Sequence, residues 1–324
     1  MPASPCNSIL VYVGLDAVGD GLIKLPFIRA LRSAFPGASV TWMAGKGHTV
    51  FADTLAPLVQ GLIDEVIDEA DIGSRPRELL SNPLPGRSFD LIIDTQRRLL
   101  TTLILKRIRH GRFITASAGY LFSTARPAVP SRPASLAGQM LVLAEVAAGH
   151  PVQADYPLPR DPQVEAEAER LLPPGPCYVG LAPGAGGKHK CWPLERYIAL
   201  AAGLRDAVPV FLLGPAEAGE WADAIRTALP QALLPLQQAS AVSPMLTIAL
   251  GRRMKAAIAN DSGTGHMLGA ADIPLVSLFG PTPPDKFAPL TRRPLILRAQ
   301  DFGGESMSSI PLEAVAAALA PLLL

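Results

Sequence analysis

The sequence predicts an α/β protein made of two doubly wound βαβ domains. Three observations lead there. Short apolar runs alternate with segments of helical periodicity along the chain. The pattern also begins twice: "VYVGLDAVGDG" (11–21) and "CYVGLAPGAGG" (177–187) each run an apolar strand into a glycine loop ahead of a helix. Between the two, residues 123–162 collect Pro127, Pro130, Pro133, Pro151, Pro157, Pro159 and Pro162, a shift that marks an interdomain linker ending near 155–162. A chain of 324 residues has room for two domains of ordinary size.

In the first half, Ile9–Val13 reads as a strand, Leu22–Ala34 as an amphipathic helix and Ser39–Ala44 as the next strand. Asp64–Ile67 and Leu91–Asp94 supply further strands. Leu99–Arg109 reads as a helix, basic on one side, and Leu136–Ala148 as the helix inside the Pro-rich stretch. In the second half, Glu165–Leu172 is a short helix. Strand Cys177–Leu181, loop 182–190, helix Leu194–Asp206, strand Val208–Leu213, helix Ala218–Leu229, strand Met254–Ala259 and strand Pro274–Phe279 follow. Leu312–Leu323 closes the chain as an amphipathic helix.

Composition excludes several classes. Net charge is +1, with 29 Lys+Arg against 28 Asp+Glu, which argues against a dedicated nucleic-acid binder. Cys6, Cys177 and Cys191 are widely spaced, form no CxxC pair and fit a reducing cytoplasm without a disulfide framework or zinc site. The start, MPASPCNSIL, lacks the charged and apolar regions of a signal peptide. No apolar run reaches the ~20 residues that span a bilayer.

Four stretches carry candidate chemistry. Neither glycine loop is GxGxxG, and Gly186-Gly187-Lys188 lacks the Walker spacing because Ala182 stands five residues before Gly187. What remains in "PGAGGKHKCWPLERY" is a basic loop, Lys188-His189-Lys190, ahead of a helix with Pro193 in its first turn. Lysines and free N–H groups there suit a diphosphate. "IANDSGTGHMLGAADIPLVSLFGPTPP" (258–284) places Asp261, hydroxyls of Ser262 and Thr264, and His266 between a strand end and a helix start. Gly263 and Gly265 would let a ligand approach the backbone, and Asp261 would meet hydroxyls or N–H groups while His266 donates to a phosphate oxygen. Asp261 and His266 lack the i,i+4 spacing of a metal pair on one helix face. "GLDAVGDGLIKLP" offers Asp16 and Asp20 after the first strand, with Asp20, between two glycines, able to project as a general base. "RRLLTTLILKRIRHGR" (97–112) is the one basic cluster, read either as a solvated helix face or as a patch for an anionic acceptor or phospholipid surface.

Three of these motifs, in this order and spacing, resemble the heptosyltransferase family, glycosyltransferase family nine. "VGDGLIKLPFIRALRSAFPGASVTWMAG" is similar to the family's Gly-Asp opening, "LAPGAGGKHKCWPLERYIALAAGL" to its Gly…Lys-x-Trp-Pro…Tyr pattern, and residues 258–284 to Asn-Asp-[Ser/Thr]-Gly-x-x-His followed by Phe-Gly-Pro-Thr. "FDLIIDTQRRLLTTLILKRI" is similar to its Asp-x-x-Ile-Asp-x-Gln segment. The sequence departs from the family at Lys24 and Leu25, where Thr is frequent, and in "GGESMSSIPLEAV", which lacks cysteines.

The resemblance implies a GT-B fold, two Rossmann-like domains facing each other across a cleft. It divides the chain into an acceptor-side domain, 1–158, a nucleotide-sugar domain, 159–310, and a terminal helix, 311–324, packing back on the first domain. It implies a cytoplasmic, inverting transferase without metal or resident cofactor, moving heptose from an ADP-sugar donor to an anionic, lipid-linked lipopolysaccharide core acceptor, with peripheral contact at the inner membrane. Asp20 would be the base and Lys190 would hold the diphosphate, helped by Lys188. Asp261, Ser262, Gly263 and His266 would bind the nucleotide-sugar, and Glu217 or Glu220 would reach the ribose. Three alternatives stay open: a GT-B transferase or epimerase using a UDP- or GDP-sugar, a non-catalytic nucleotide-sugar-binding protein, and a membrane adaptor acting through 97–112.

Overall fold

A computed structural model of the chain describes residues 6–129, 132–289, 291 and 294–324. The first five residues of the N-terminal stretch and Pro130 of the Pro-rich segment lie outside them. The chain divides into two units, Met1–Pro159 and Arg160–Leu324.

In the first unit β1 (Ser8–Val13) enters helix α1 (Val18–Ala34), then β2 (Ser39–Ala44), β3 (Glu65–Ile67) and β4 (Ser88–Asp94). Helix α2 (Leu99–Leu105), β5 (Arg109–Thr115) and helix α3 (Leu136–Ala148) complete it. The strands form one parallel sheet in the order β3-β2-β1-β4-β5. β1 is buried on both faces, which is why it reads as a continuous apolar run. Ser135 caps α3 by accepting the Gly138 amide at 2.7 Å, and Gly149 ends it in the left-handed conformation.

Two elements differ from the sequence reading. α1 starts at Val18, so Gly19, Asp20 and Gly21 are helical and not part of the preceding loop. Gly21 is there because a Cβ would lie 2.7 Å from Val50 and 2.9 Å from Leu55: packing overrides its poor helix propensity. The expected helix 99–109 stops at Leu105, and Arg109–Thr115 pairs with β4 as an unforeseen strand. Phe113, Ile114 and Thr115 are its buried end, and the arginines before them hid the strand signal.

The second unit runs α4 (Pro162–Leu171), β6 (Tyr178–Ala182), α5 (Leu194–Ala202), β7 (Val208–Phe211), α6 (Pro215–Ala228) and α7 (Pro244–Arg252). It continues with β8 (Ala256–Asn260), α8 (Gly263–Ala270), β9 (Leu275–Phe279), α9 (Pro284–Phe287), β10 (Pro294–Arg298) and α10 (Leu312–Leu323). Helix α7, capped by Ser243, and strand β10 were not foreseen. The sheet is parallel, in the order β10-β9-β8-β6-β7. A parallel bridge from Val210 to Leu233 adds a further rung outside β7. With that rung the winding matches the first unit: β6 corresponds to β1, β7 to β2, Leu233 to β3 and β8 to β4.

The terminal helix packs within the second unit. Val315 and Leu319 of α10 are buried in the second unit's own core, with Leu181, Trp192, Tyr197, Val276 and Leu278. Its apolar stripe is used there, so α10 is an integral layer of this unit.

Asp94, the last residue of β4, is fully buried. Its carboxylate accepts the Gln96 amide at 2.9 Å, Thr102 Oγ1 at 2.6 Å and Thr115 Oγ1 at 3.0 Å. Burial pushes its pKa up to about 6, against the pull of those donors.

Two outcomes follow. Leu319→Ala is expected to lower unfolding stability by about 2–5 kcal/mol in urea titrations, because it opens a cavity in the core. The folded pKa of Asp94 exceeds the unfolded value, so the native state binds the proton first. Its stabilisation is present below about pH 4 and is lost as pH rises through about 6. Asp94→Asn is expected to remove this slope, on the order of 3 kcal/mol at about 1.4 kcal/mol per unit, read as the urea midpoint against pH.

Candidate functional site

In the second unit the strand order reverses between β6 and β8, and the crevice at their carboxyl ends is where such sheets bind ligands. Asn260, the last residue of β8, is buried and organises this edge. Its Nδ2 donates to the Pro183 carbonyl at 2.7 Å. Its Oδ1 accepts the Trp192 amide at 3.2 Å and the Tyr197 hydroxyl at 3.1 Å. One side chain thereby joins the loop after β6, the entry to α5 and the end of β8. Trp192 is itself buried, stands edge-on to Tyr197 and donates its indole N–H to the Ile310 carbonyl at 2.9 Å.

Held by this frame, Lys190 and Asp261 meet: Lys190 Nζ lies 2.9 Å from Asp261 Oδ2, and both side chains are largely covered. Lys188 points elsewhere, pairing at 2.8 Å with Glu220 on the exposed face of α6, and that contact raises its pKa. Of the two lysines, Lys190 is therefore the one brought to Asp261. Glu217, in the first turn of α6, lies against the loop after β6. A Cβ on Gly184 or on Gly214 would come within 2.6 Å of its carboxylate oxygens. Glu220 is the exposed partner of Lys188, so Glu217 is the acid that lines this loop.

Helix α8 begins at Gly263, with Ser262 as its cap accepting the Gly265 amide at 3.2 Å. The two glycines have different jobs. A Cβ on Gly265 would stand 3.0 Å from the Asn260 carbonyl and 3.3 Å from Ala259 Cβ, so Gly265 lets the helix pack on the strand end. Gly263 faces open space. His266 is enclosed enough that burial depresses its pKa to about 4, although Asp261 pulls the other way. At neutral pH it brings an N–H donor and no charge. The positive charge at this edge comes from Lys190 and from the amides at the start of α8.

In the first unit, Asp20 sits in the first turn of α1, exposed, and its carboxylate makes no hydrogen bond or ion pair with a described residue. It lines a cavity of about 140 Å³ with Lys24, Gln96, Arg97 and Gln139. Arg97 and Arg98 follow β4, and the Arg98 charge, after burial, lowers the pKa of Lys46 beyond β2. These cations gather at the carboxyl ends of the first sheet. Asp16 is different: it is buried and bonded to Trp42, Thr49 and Lys24, so it supports the fold.

The basic cluster 97–112 is not one helix face. Arg97 and Arg98 precede α2, while Arg109, His110 and Arg112 lie on β5. Arg112 donates to the Ala147 carbonyl at 2.8 Å and Lys106 to the Phe122 carbonyl at 3.2 Å, so part of this charge holds backbone. Among the described residues no group of three His, Cys, Asp or Glu side chains is placed to hold a metal ion, and no helix is long and apolar enough to cross a membrane. Sequence reading gave no role to Asn260, Trp192 and Tyr197. The available signal was a tryptophan inside a basic loop and an Asn ending an apolar strand.

Comparison with known proteins bears on the family and the fold. The profile of glycosyltransferase family 9 (heptosyltransferase) matches residues 78–308. Lipopolysaccharide heptosyltransferase 1 of Pseudomonas aeruginosa is 27% identical over 296 residues, 85% of this chain and 79% of that protein. Lipopolysaccharide heptosyltransferase 2 of Salmonella typhimurium is 35% identical over 124 residues, 37% of this chain and only 36% of that protein's length. The Haemophilus influenzae lipooligosaccharide heptosyltransferase 2 likewise aligns over 36% of its length. Among solved structures, a family 9 glycosyl transferase from Veillonella parvula superposes with TM-score 0.70 at 19% identity, covering 98% of this chain and 97% of that one. Escherichia coli heptosyltransferase WaaC with ADP gives TM-score 0.67 at 19% identity, covering 97% and 99%. At these identities the likeness speaks for the fold alone, the α/β GT-B type with two parallel sheets. The profile spans most of the sequence, including the Asn260 frame and the Lys190–Asp261 pair, and the chain belongs to glycosyltransferase family 9, the heptosyltransferase family.

Proposed function

We propose that this protein transfers heptose from ADP-heptose to a lipopolysaccharide core acceptor, with inversion at the anomeric carbon. The observation that carries the reading is the Lys190–Asp261 pair, fixed beside the start of α8 by Asn260, in a chain of this family. The relatives named as lipopolysaccharide heptosyltransferases, and the solved heptosyltransferase with ADP, support the choice of donor and acceptor class.

In this reaction an acceptor hydroxyl attacks the anomeric carbon. Its proton passes to Asp20, the sugar–diphosphate C–O bond breaks, and ADP leaves with the electron pair. Lys190 and the free amides at Gly263 and Thr264 stabilise the charge growing on the diphosphate. Asp261 orients the Lys190 ammonium, His266 donates an N–H to a phosphate oxygen, and Glu217 receives ribose hydroxyls. These groups supply the needed positive charge and donors without a metal or resident cofactor. The cations Lys46, Arg97 and Arg98 suit an anionic acceptor, and a lipid-linked acceptor places the reaction at the cytoplasmic face of the inner membrane.

Calorimetry and transfer assays test the reading together. Lys190→Ala is expected to weaken ADP binding by tenfold or more, about 1.4 kcal/mol, while Asp20→Asn binds ADP normally and loses ~10²–10⁴ in kcat. Preference for UDP or GDP over ADP would overturn the donor. A second result concerns His266, whose pKa of about 4 must rise beside a diphosphate. ADP binding near pH 5.5 is therefore expected to take up more protons in the native protein than in His266→Gln, seen as a difference in how binding enthalpy depends on buffer ionisation.

A further inference from the structure

We propose that Asp16 is a positioning residue for the reaction: it holds the Lys24 ammonium away from Asp20, so that the base stays unpaired for the acceptor hydroxyl. This inference rests on the assignment of Asp20 as base made above.

Asp20 and Lys24 stand four residues apart on α1, with the acid on the N-terminal side. That spacing and order is the best one for an ion pair on a helix. Both residues also line the same cavity of about 140 Å³. Nevertheless Asp20 bonds to no described residue, and the Lys24 ammonium goes to Asp16 Oδ1.

The preference has a physical cause. Asp16 is 2% exposed, and its Oδ2 accepts Trp42 Nε1 at 3.0 Å and Thr49 Oγ1 at 2.8 Å. Its backbone is also fixed, the Asp16 amide donating to the His48 carbonyl at 3.1 Å and the Val50 amide to the Asp16 carbonyl at 3.3 Å. A carboxylate locked inside protein needs a counter-charge, because water cannot solvate it. Asp20 is exposed and water serves it. The ammonium therefore goes where desolvation makes it worth most.

The consequence is chemical. An opposite charge within ~4–6 Å makes a carboxylate a weaker base by about 1–3 pH units and occupies one of its oxygens. The other groups facing Asp20 are Arg97 and Gln96 from the segment after β4, Thr95 beside them, and Gln139 from α3. All of these stay in place in the variants below.

The test is heptose transfer from ADP-heptose to a heptose-free, deacylated lipopolysaccharide core, measured against pH with the full chain. Circular dichroism and Trp fluorescence report folding. In Asp16→Asn, Lys24 is released onto Asp20: kcat is expected to fall about tenfold or more, and the acid limb of the pH–rate profile to move down by about one unit or more. Adding Lys24→Met to Asp16→Asn is expected to return the acid limb to its native position and to recover most of kcat, which repair of a merely structural defect would not do. Lys24→Met alone is expected to leave the acid limb unmoved. A folded Asp16→Asn with an unmoved acid limb overturns the proposal, as does a double variant that stays slow. Should Asp16→Asn fail to fold, an upward shift of the acid limb in Lys24→Met overturns it independently, since Lys24 would then already act on the base. Asp20→Asn separates the two levels: retained transfer removes the base assignment itself, whereas its loss together with an unmoved Asp16→Asn profile removes only the role of Asp16.

Discussion

Each unit depends on a buried polar side chain at the end of the strand beside the reversal in sheet order. In the first unit it is Asp94 on β4, and in the second it is Asn260 on β8. The two positions correspond in the shared winding. A parallel strand that ends inside the protein leaves its following loop without ladder partners, and those loops must carry the ligand-facing groups. A short side chain with every hydrogen-bonding atom used satisfies the strand end and seats the loops together. Asp94 joins the turn at Gln96 to Thr102 of α2 and Thr115 of β5. Asn260 joins Pro183, Trp192 and Tyr197.

The two strand ends differ electrostatically. The second unit has a neutral amide at the strand end, with charge concentrated in Lys190 and Asp261 in front of it. Burial leaves the imidazole of His266 neutral at neutral pH. The first unit gathers cations around its strand ends and buries acids behind them. Asp94 and Asp16 are both inside, whereas Asp20 is exposed. Structural acids need donors, and α1 carries the exposed Asp20 one turn beyond the buried Asp16.

Much of the fold was legible. The apolar runs of β1, β2, β6, β8 and β9 are buried on both faces and carry no competing signal, so period and composition agree. β10 was missed because only one of its faces is covered, and β5 because arginines fill its first half. The start of α1 was displaced because Gly19 and Gly21 have loop-like propensity, whereas Gly21 is required by contact with Val50 and Leu55. The candidate acids and bases were visible as residue types in glycine-rich segments. Their pairing was not: Lys188 with Glu220 and Lys190 with Asp261 are separated by 32 and 71 residues.

The sequence by itself determined the class of fold, the two-unit organisation and the family, because all three rest on local periodicity and on motifs of short span. Tertiary structure alone decided which lysine meets an acid, which glycine serves packing, that His266 is neutral, and that α10 completes the second unit. The reason is the same in each case. Burial and the approach of distant groups set these properties, and both are created only when the loops that follow β4, β6 and β8 are brought to one sheet edge or the other.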